Sequence, residues 1–233
     1  MAIFVIGDPH LSLGTDKPMD VFKGWHDYTS RLESNWKSKI KPDDTVVVAG
    51  DISWGINLEE AKPDFEFLNS LPGEKILLKG NHDYWWETKT KLENYFQANG
   101  FDTLKILFNN HYRYESFGIC GTRGWINEKK GEQADKKVLL REAGRLEASI
   151  KSALADNLTP VVFLHYPPIY YTEYNFEILE VLHRYGVKKC FYGHIHGAAL
   201  NFAIDGVVDG IDFRLISADY LKFDPLDITN ELK

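Results

Sequence analysis

Five short clusters of polar residues along this chain carry side chains that commonly bind metal ions. They combine aspartate, histidine and asparagine, and four of the five directly follow an apolar run. The clusters are Gly7-Asp8-Pro9-His10, Gly50-Asp51, Gly80-Asn81-His82-Asp83, His165 and Gly193-His194-Ile195-His196-Gly197. A strand that ends in a carboxylate or an imidazole presents that group at one edge of a sheet, and several parallel strands can build one site there. The pattern therefore predicts a metal site assembled from distant parts of the sequence.

The first two clusters supply carboxylates and one imidazole. Asp8 and His10 are two residues apart, and residues i and i+2 of an extended chain point to the same side. Pro9 between them fixes the backbone φ angle. Asp51 has two carboxylate oxygens and could bridge two ions, and Gly50 lets the chain turn sharply before it. Taken alone, each cluster could equally be a turn or a helix cap.

The third cluster, Gly80-Asn81-His82-Asp83, offers a neutral ligand followed by a second imidazole. The amide oxygen of Asn81 suits a hard or borderline metal ion. Adjacent side chains cannot all face one metal, so we expect Asn81 to be the ligand and His82 to face the substrate. Asp83 is expected to orient His82 or tune its charge. A simple turn is the alternative interpretation.

The last two clusters supply three more imidazoles. His165 follows the apolar run 160–164, where a lone histidine is often structural. His194 and His196 form an H-x-H pattern between two glycines, which is a stronger metal signal. Five of the eight histidines of the chain fall within the clusters.

The ordered spacing of D-x-H, GD, GNHD, H and GHxH resembles the calcineurin-like metallophosphoesterase superfamily over most of the chain, from Asp8 to Gly197. The resemblance implies an α/β fold, a four-layer αββα sandwich of two mixed β-sheets flanked by helices. It also implies two divalent metal ions that share one carboxylate. Their ligands would be Asp8, His10, Asp51 and His196 for one ion, and Asp51, Asn81, His165 and His194 for the other.

One stretch departs from the pattern of a well-known branch. Protein serine/threonine phosphatases of the superfamily carry GD-x-V-D-R-G, whose second aspartate orients the catalytic histidine. Here the stretch is Gly50-Asp51-Ile52-Ser53-Trp54-Gly55, so Trp54 stands at that position. The chain is therefore more similar to the small bacterial-type phosphoesterases than to a protein phosphatase.

The resemblance implies a metal-dependent phosphohydrolase. Two cations about 3.5–4 Å apart lower the pKa of a shared water, and the resulting hydroxide attacks phosphorus. His82 is expected to protonate the leaving oxygen or steady the transition state. Aspartate, histidine and asparagine ligands without thiolate favour Mn²⁺, Fe²⁺/Fe³⁺ or Zn²⁺. A phosphodiester or nucleotide substrate is slightly favoured; a phosphomonoesterase for small molecules and a non-catalytic scaffold or binding protein are the alternatives.

Residues beside the clusters are candidates for substrate binding. Aromatic faces near a phosphate site can stack on a base, and an arginine can fork onto phosphate. The candidates are Arg123, Trp54, Tyr84, Trp85 and Tyr166. The alternatives are that some of the aromatic residues pack under the loops, and that Arg123 pairs with a carboxylate.

Composition limits the partners. The net charge of −7 argues against a protein that grips long nucleic acid through charge. The two cysteines lie in apolar contexts and do not suggest disulfides. The sequence contains no apolar run of about 20 residues, which predicts no membrane span, and no secretory signal is recognisable at its start. We expect a cytoplasmic protein with a small phosphorylated or phosphodiester substrate; the oligomeric state stays open.

The elements that would position these clusters follow from the apolar patterns. A single domain over residues 1–233 is the favoured organisation, with alternating strands and helices in its first half. The buried strands are expected at Ile3–Ile6, Thr45–Ala49, 75–79, 160–164 and 188–192, and the helices at 21–40, 58–71, 86–98, 132–155 and 176–185. Antiparallel segments are expected over 104–121, a hairpin around Asp205-Gly206, a loose tail over 223–233, and a possible cap over 127–155.

Overall fold

A computed structural model describes residues 1–125 and 133–232 of the chain, with side chains described from residue 136 onward in the second range. The fold is mixed α/β, with two large mixed sheets and flanking helices, as predicted. The chain forms two compact units, Met1–Ile106 with Ile216–Lys233, and Leu107–Leu215. The single-domain organisation stays a prediction.

The described strands and helices alternate along most of the chain. The strands are β1 (Ile3–Ile6), β2 (Thr45–Ala49), β3 (Glu74–Leu78), β4 (Leu104–Ile106), β5 (Tyr112–Tyr114), β6 (Phe117–Thr122), β7 (Thr159–Leu164), β8 (Ile169–Tyr170), β9 (Glu173–Tyr174), β10 (Lys189–Tyr192), β11 (Gly206–Val208), β12 (Ile211–Leu215) and β13 (Leu226–Asp227). The α-helices are α1 (Tyr28–Lys39), α2 (Leu58–Ser70), α3 (Lys89–Asn99), α4 (Gln133–Ala155) and α5 (Phe176–Arg184).

The first unit contains a five-stranded sheet with the order β13-β1-β2-β3-β4. Strands β1 to β4 run parallel, and β13 is antiparallel to β1. Every residue of β1 and β2 is buried, as continuous apolar runs require of strands covered on both faces. Because β1, β2 and β3 are parallel neighbours, the loops after them leave the same edge of the sheet.

The second unit contains a six-stranded sheet with the order β11-β12-β10-β7-β6-β5. Its four central strands run parallel, and the two edge strands are antiparallel to their neighbours. Helix α4 packs against β6, β7 and α5, and its residues Leu146, Ile150 and Ala153 are buried in this contact layer. The loops after β6, β7 and β10 therefore leave one edge of this sheet together.

The first helix is shorter than predicted. Helix α1 begins at Tyr28, and residues 21–27 form turns rather than the expected helical start. Gly24 and Asp27 adopt left-handed backbone conformations, which interrupt a right-handed helix. The apolar spacing was real, since the Trp25 ring packs edge-on against Tyr28 and Phe223, but it reflects core packing and not helical periodicity.

Two expectations about strands were wrong. Strand β4 pairs in parallel with β3, although the segment 104–121 was predicted to be antiparallel. The hairpin of β11 and β12 turns at Asp209-Gly210, not at Asp205-Gly206. Both turn residues have positive φ angles, which a two-residue hairpin turn requires. The segment before β11 is a 3-10 helix, Gly197–Phe202.

The C-terminal segment is not a loose tail. Phe223 and Ile228 are fully buried, and β13 adds an antiparallel strand beside β1. Residues 127–132 of the predicted cap lie outside the described residues. The described remainder of that segment is α4, which packs on the sheet of the second unit.

Candidate functional site

Three predicted ligands of the first unit lie at the carboxyl edge of its sheet. Asp8 follows β1, Asp51 follows β2 and Asn81 follows β3. The first two are buried, and so is the His10 side chain. The donor atoms of Asp8 and His10 lie within 4.8 Å of each other. Parallel strand order therefore brings these residues to one edge, as the sequence predicted.

Four of the seven predicted ligands have a left-handed backbone. The φ angles are 56° for Asp8, 45° for His10, 47° for Asp51 and 70° for His194. Residues other than glycine adopt this conformation at a cost of about 1–2 kcal/mol each. Such conformations persist where the surroundings determine them, and they cluster at functional sites.

Backbone hydrogen bonds join the loops after β1 and β2. The amide of Asp8 donates to the Gly50 carbonyl over 2.9 Å, and the amide of His10 donates to the Asp51 carbonyl over 2.9 Å. Leu11 continues the series by donating to Ile52. These bonds carry the sheet pairing past the ends of the strands and hold the strained residues in place.

The Asp51 carboxylate lies between two histidines. One oxygen accepts the backbone amide of His82 at 2.8 Å, and the other lies 3.6 Å from His10 Nε2. Gly80 makes this approach possible, because a Cβ at that position would lie 2.1 Å from both the amide nitrogen and Oδ1 of Asp51. Glycine is therefore required sterically where the GNHD loop passes Asp51.

Asp83 braces the same loop from inside. Its carboxylate accepts hydrogen bonds from the amides of Gly80 (2.6 Å), Ile52 (2.8 Å) and Ser53 (3.3 Å), and from the Trp85 indole (3.1 Å). Burial raises the pKa of this carboxyl above its ordinary value, while the donated hydrogen bonds act in the opposite direction. We expected Asp83 to orient the His82 ring; its described hydrogen bonds instead hold the Gly80 amide and the Trp85 indole to the loop after β2.

A second buried carboxylate, Asp64 of α2, holds the loops after β1 and β2. It accepts the Leu13 amide at 2.8 Å and the Ser53 hydroxyl at 2.5 Å. Burial raises its pKa to about 6. The sequence analysis did not single out this residue, because an aspartate within a helix gives no signal that it faces the core.

The aromatic candidates of the first unit have different environments. Trp54 stacks on the His10 ring at 4.9 Å and lies 4.4 Å from the His82 ring, so it packs against the imidazoles. Trp85 is only 1% exposed, and its predicted role in substrate stacking is corrected to support of the loop. Tyr84 is 61% exposed with its ring 6.1 Å from that of His82, which leaves it accessible to a ligand.

The second unit brings together His165 and His194, which follow the parallel neighbours β7 and β10. Nε2 of His165 and Nδ1 of His194 are 3.2 Å apart. The Tyr166 ring lies 4.3 Å from the His194 ring and is buried, so it supports this pair more than it offers a surface to substrate. His196 is half-buried and stands just before the 3-10 helix.

Arg123 lies at the same edge of the second sheet, one residue after β6. Its backbone carbonyl accepts the amides of His165 (3.2 Å) and Tyr166 (2.8 Å). Its guanidinium lies 3.7 Å from the carboxylate of Glu142 and 4.9 Å from the centre of the Trp125 ring. Glu142 could not be recognised from the sequence, since a glutamate within a charge-rich helix gives no sign that it is buried.

The donor sets of both units fit divalent transition metals. Buried carboxylates, an amide oxygen and neutral imidazoles are the ligands that Mn²⁺, Fe²⁺ and Zn²⁺ accept. The two thiols stand apart from this chemistry, because Cys120 and Cys190 are buried within the second sheet and burial raises the pKa of Cys120 to about 12.

The sequence profile of the calcineurin-like phosphoesterase family matches residues 1–198, and the chain belongs to this family. Family membership together with the donor sets supports a metal-dependent phosphohydrolase. A comparison with functionally curated proteins gives no match. Among the described residues, none of the helices combines the length and the apolar character that a membrane span needs.

Solved structures share the fold at low sequence identity. A protein of unknown function from Aquifex aeolicus is 17% identical with a TM-score of 0.53, and the alignment covers 99% of this chain and 97% of that one. The phosphopantetheinyl hydrolase of Mycobacterium tuberculosis is 13% identical with a TM-score of 0.51, at 97% and 95% coverage. A protein of Thermus thermophilus is 10% identical with a TM-score of 0.53, at 83% and 81% coverage.

Proposed function

We propose that this protein is a dinuclear metal-dependent phosphoesterase that favours a phosphodiester or nucleotide-type substrate. The observation that carries the proposal is the set of left-handed ligand residues at strand ends, Asp8, His10, Asp51 and His194. Backbone strain at four predicted ligands of a family whose members hydrolyse phosphoesters is best explained by a requirement to point donor atoms at bound cations.

The ligands follow from family membership and from the donor chemistry. Two divalent metal ions, Mn²⁺, Fe²⁺/Fe³⁺ or Zn²⁺, would be held by Asp8, His10, Asp51, Asn81, His165, His194 and His196. When bound, such ions polarise phosphoryl oxygens and supply a nucleophilic water at neutral pH. The carboxylate of Asp51 is suited to a shared position, because one of its oxygens faces His10 while the other is fixed by the His82 amide.

His82 is proposed as the group that moves a proton to the leaving oxygen. Its backbone is held by Asp51, and Asp83 binds the backbone of Gly80 two residues earlier. Trp54 packs against the imidazole and limits its orientations. A positioned imidazole acting as general acid contributes about 10²–10⁴-fold to a rate.

The preference for a diester is supported by space beside Tyr84, whose ring lies 6.1 Å from that of His82. An open groove of about 360 Å³ lies against Tyr84 and is lined further by Ile56, Asn57, Leu58, Glu59 and Glu87. Tyr84 offers an exposed aromatic face, and Ile56 is also exposed. A diester or nucleotide carries a second organic substituent that such a groove can hold, whereas a simple monoester leaves it empty.

The test is a comparison of two substrates and several metals. Protein stripped with chelator is expected to be inactive and to regain hydrolysis with Mn²⁺, Fe²⁺ or Zn²⁺. Bis(p-nitrophenyl) phosphate is expected to be hydrolysed at a higher kcat/KM than p-nitrophenyl phosphate. Asp51→Asn tests the same dependence by substituting a proposed ligand. It is expected to lose bound metal, measured by elemental analysis, and to lose activity.

Two outcomes would contradict the proposal at different levels. Full activity after chelation, or in Asp51→Asn, would exclude the metal-dependent reaction. Metal-dependent activity with a higher kcat/KM for the monoester would retain the reaction class and remove the diester preference.

A further inference from the structure

A buried carboxylate in the second unit is surrounded by guanidinium groups. The Glu142 side chain is fully buried, and one of its oxygens accepts the Thr122 hydroxyl at 2.6 Å. The other oxygen accepts Arg145 Nη1 at 2.6 Å and lies 3.7 Å from Arg123 Nη2 and 3.9 Å from Arg141 Nε. Arginine stays protonated in proteins, so three positive charges meet one negative charge and the cluster retains an excess of positive charge.

Arg123 differs from Arg145 in how its donors are used. Arg145 makes a direct hydrogen bond to Glu142, whereas the 3.7 Å separation between Arg123 and Glu142 is an ion pair too long for a hydrogen bond. The Nε atom of Arg123 is buried and has no hydrogen-bond partner within residues 1–125 and 133–232. Its guanidinium is thus oriented by charge, while its Nη groups donate no hydrogen bond to any described residue.

Two further contacts restrict where this guanidinium can go. It lies over the Trp125 ring at 4.9 Å, a cation–π distance, and its side chain is 17% exposed. Its backbone carbonyl binds the amides of His165 and Tyr166. The Arg123 residue is therefore held at its guanidinium and at its backbone, at the strand edge that also carries His165 and His194.

We propose that Arg123 is a phosphate-binding residue, and that Glu142 is the positioning residue that holds its guanidinium ready to fork onto a phosphoryl oxygen pair. This inference deepens the proposed function and rests on it for the identity of the substrate. A planar guanidinium matches two oxygens of a phosphate in a bidentate hydrogen bond. Since Glu142 lies on α4, it links the flanking helix to substrate recognition at the sheet edge.

The main competing explanation is that Arg123 only neutralises Glu142. Arg145 already makes a direct charged hydrogen bond to that carboxylate, and Thr122 binds its second oxygen. A guanidinium beyond hydrogen-bond distance adds Coulomb attraction but satisfies no lone pair of the carboxylate. The separation and the buried Nε atom therefore favour a guanidinium reserved for a ligand.

The experiment measures binding of inorganic phosphate to the Mn²⁺-loaded protein by isothermal titration calorimetry, beside steady-state kinetics with bis(p-nitrophenyl) phosphate. Arg123→Met is expected to weaken phosphate binding about 10- to 100-fold and to raise KM more than it lowers kcat. Arg123→Lys is expected to recover only part of the affinity, because a point charge cannot form the fork.

Glu142→Gln tests the positioning role. It retains the shape of the side chain and removes the charge, so we expect a several-fold loss of phosphate affinity and a rise in KM with Arg123 still present. Arg184→Met is the matched control, because Arg184 also pairs with a glutamate of α4, Glu147, but is half exposed. It is expected to bind phosphate like the wild type.

The outcomes separate this inference from the proposed function. Wild-type affinity and wild-type KM in both Arg123 variants would overturn the phosphate site even if the enzyme is active. An Arg123-dependent phosphate affinity in a protein that hydrolyses no phosphoester would support the site and refute the proposed function. If Glu142→Gln does not fold, as judged by thermal unfolding, the Arg123 variants still decide the phosphate site. In a folded Glu142→Gln protein, an unchanged affinity would remove the positioning role alone.

Discussion

In the first unit the predicted ligands are fixed mainly through the backbone, whereas in the second unit charged and aromatic side chains do more of the fixing. Asp8, His10 and Asp51 all have left-handed φ angles, and amide-to-carbonyl bonds tie their loops together. In the second unit His194 alone of the predicted ligands is left-handed, and the neighbouring Arg123 is held by Glu142 and Trp125. The two sheet edges thus present ligands by different physical means.

The buried carboxylates show the same difference. Asp83 and Asp64 accept hydrogen bonds from backbone amides, an indole and a hydroxyl, and burial raises the pKa of both. Glu142 instead faces guanidinium groups. The hydrogen bonds to Asp83 and Asp64 fix the path of the backbone, whereas Glu142 fixes the direction of the neighbouring guanidinium groups. Substitution of Asp83 or Asp64 should therefore act on folding and loop geometry, and substitution of Glu142 on ligand affinity.

The largest effect is expected from His82→Ala. Because the His82 loop is held through its amide and through Asp83, removal of the imidazole should leave the backbone and the metals in place. We expect kcat to fall about 10²–10⁴-fold while the metal content stays that of the wild type. Steady-state kinetics and elemental analysis measure the two quantities.

His26→Ala is the control for this substitution, since the His26 side chain is 84% exposed in the same unit. It is expected to leave kcat unchanged. A His82→Ala protein with wild-type turnover would refute the general-acid role. Loss of metal in that variant would show that the imidazole, and not the backbone, holds the loop.

A pair of glycine substitutions compares the two sheet edges directly. Gly80→Ala would place a Cβ 2.1 Å from the Asp51 amide and carboxylate, and overpacking of this kind should destabilise the protein by about 3 kcal/mol. At Gly124 the nearest atom to a Cβ is 3.4 Å away, so Gly124→Ala introduces only backbone strain at a positive φ angle. This strain should destabilise the protein by about 1 kcal/mol. Urea unfolding measures both values. Equal losses would contradict the idea that backbone geometry is more demanding in the first unit.

Most of the buried strands could be predicted because they are continuous apolar runs in the sequence. Ile3–Ile6 and Thr45–Ala49 were predicted with the observed bounds. The start of α1 could not be predicted, since it depends on the left-handed backbone at Gly24 and Asp27. The parallel pairing of β4 with β3 could not be predicted either, since the choice of partner strand is decided by tertiary structure. Strand β13 is only two residues long, and its pairing with β1 depends on a contact more than 200 residues away in sequence.

The candidate site was predicted in outline because its residues follow strands, and strand ends in parallel sheets meet at one edge. The sequence could not distinguish a buried aromatic residue from an exposed one, so Trp85 and Tyr84 were given the same role. It also gave no sign of Asp64 or Glu142, since the residue type alone does not show whether a carboxylate within a helix is buried or solvated. Their function depends on which face of α2 or α4 packs inward, and that is decided by tertiary structure.

The last prediction concerns Asp64 and the pH dependence of stability. Its pKa is about 6 in the folded protein and 3.8 ordinarily, so the folded state keeps this proton longer than the unfolded state does. The resulting contribution to stability is complete below about pH 4 and is lost as the pH rises through about 6. Two pKa units correspond to at most about 3 kcal/mol.

Asp64→Asn removes this titration while its amide can still accept the Leu13 N–H and donate to Ser53. The stability of the variant relative to the wild type should therefore increase between pH 4 and pH 6.5 and then level off. Urea unfolding at several pH values measures the difference, with the exposed Asp43→Asn as the control. A difference that is constant over this range would mean that the hydrogen bonds from Leu13 and Ser53 fully offset the effect of burial on the pKa of Asp64.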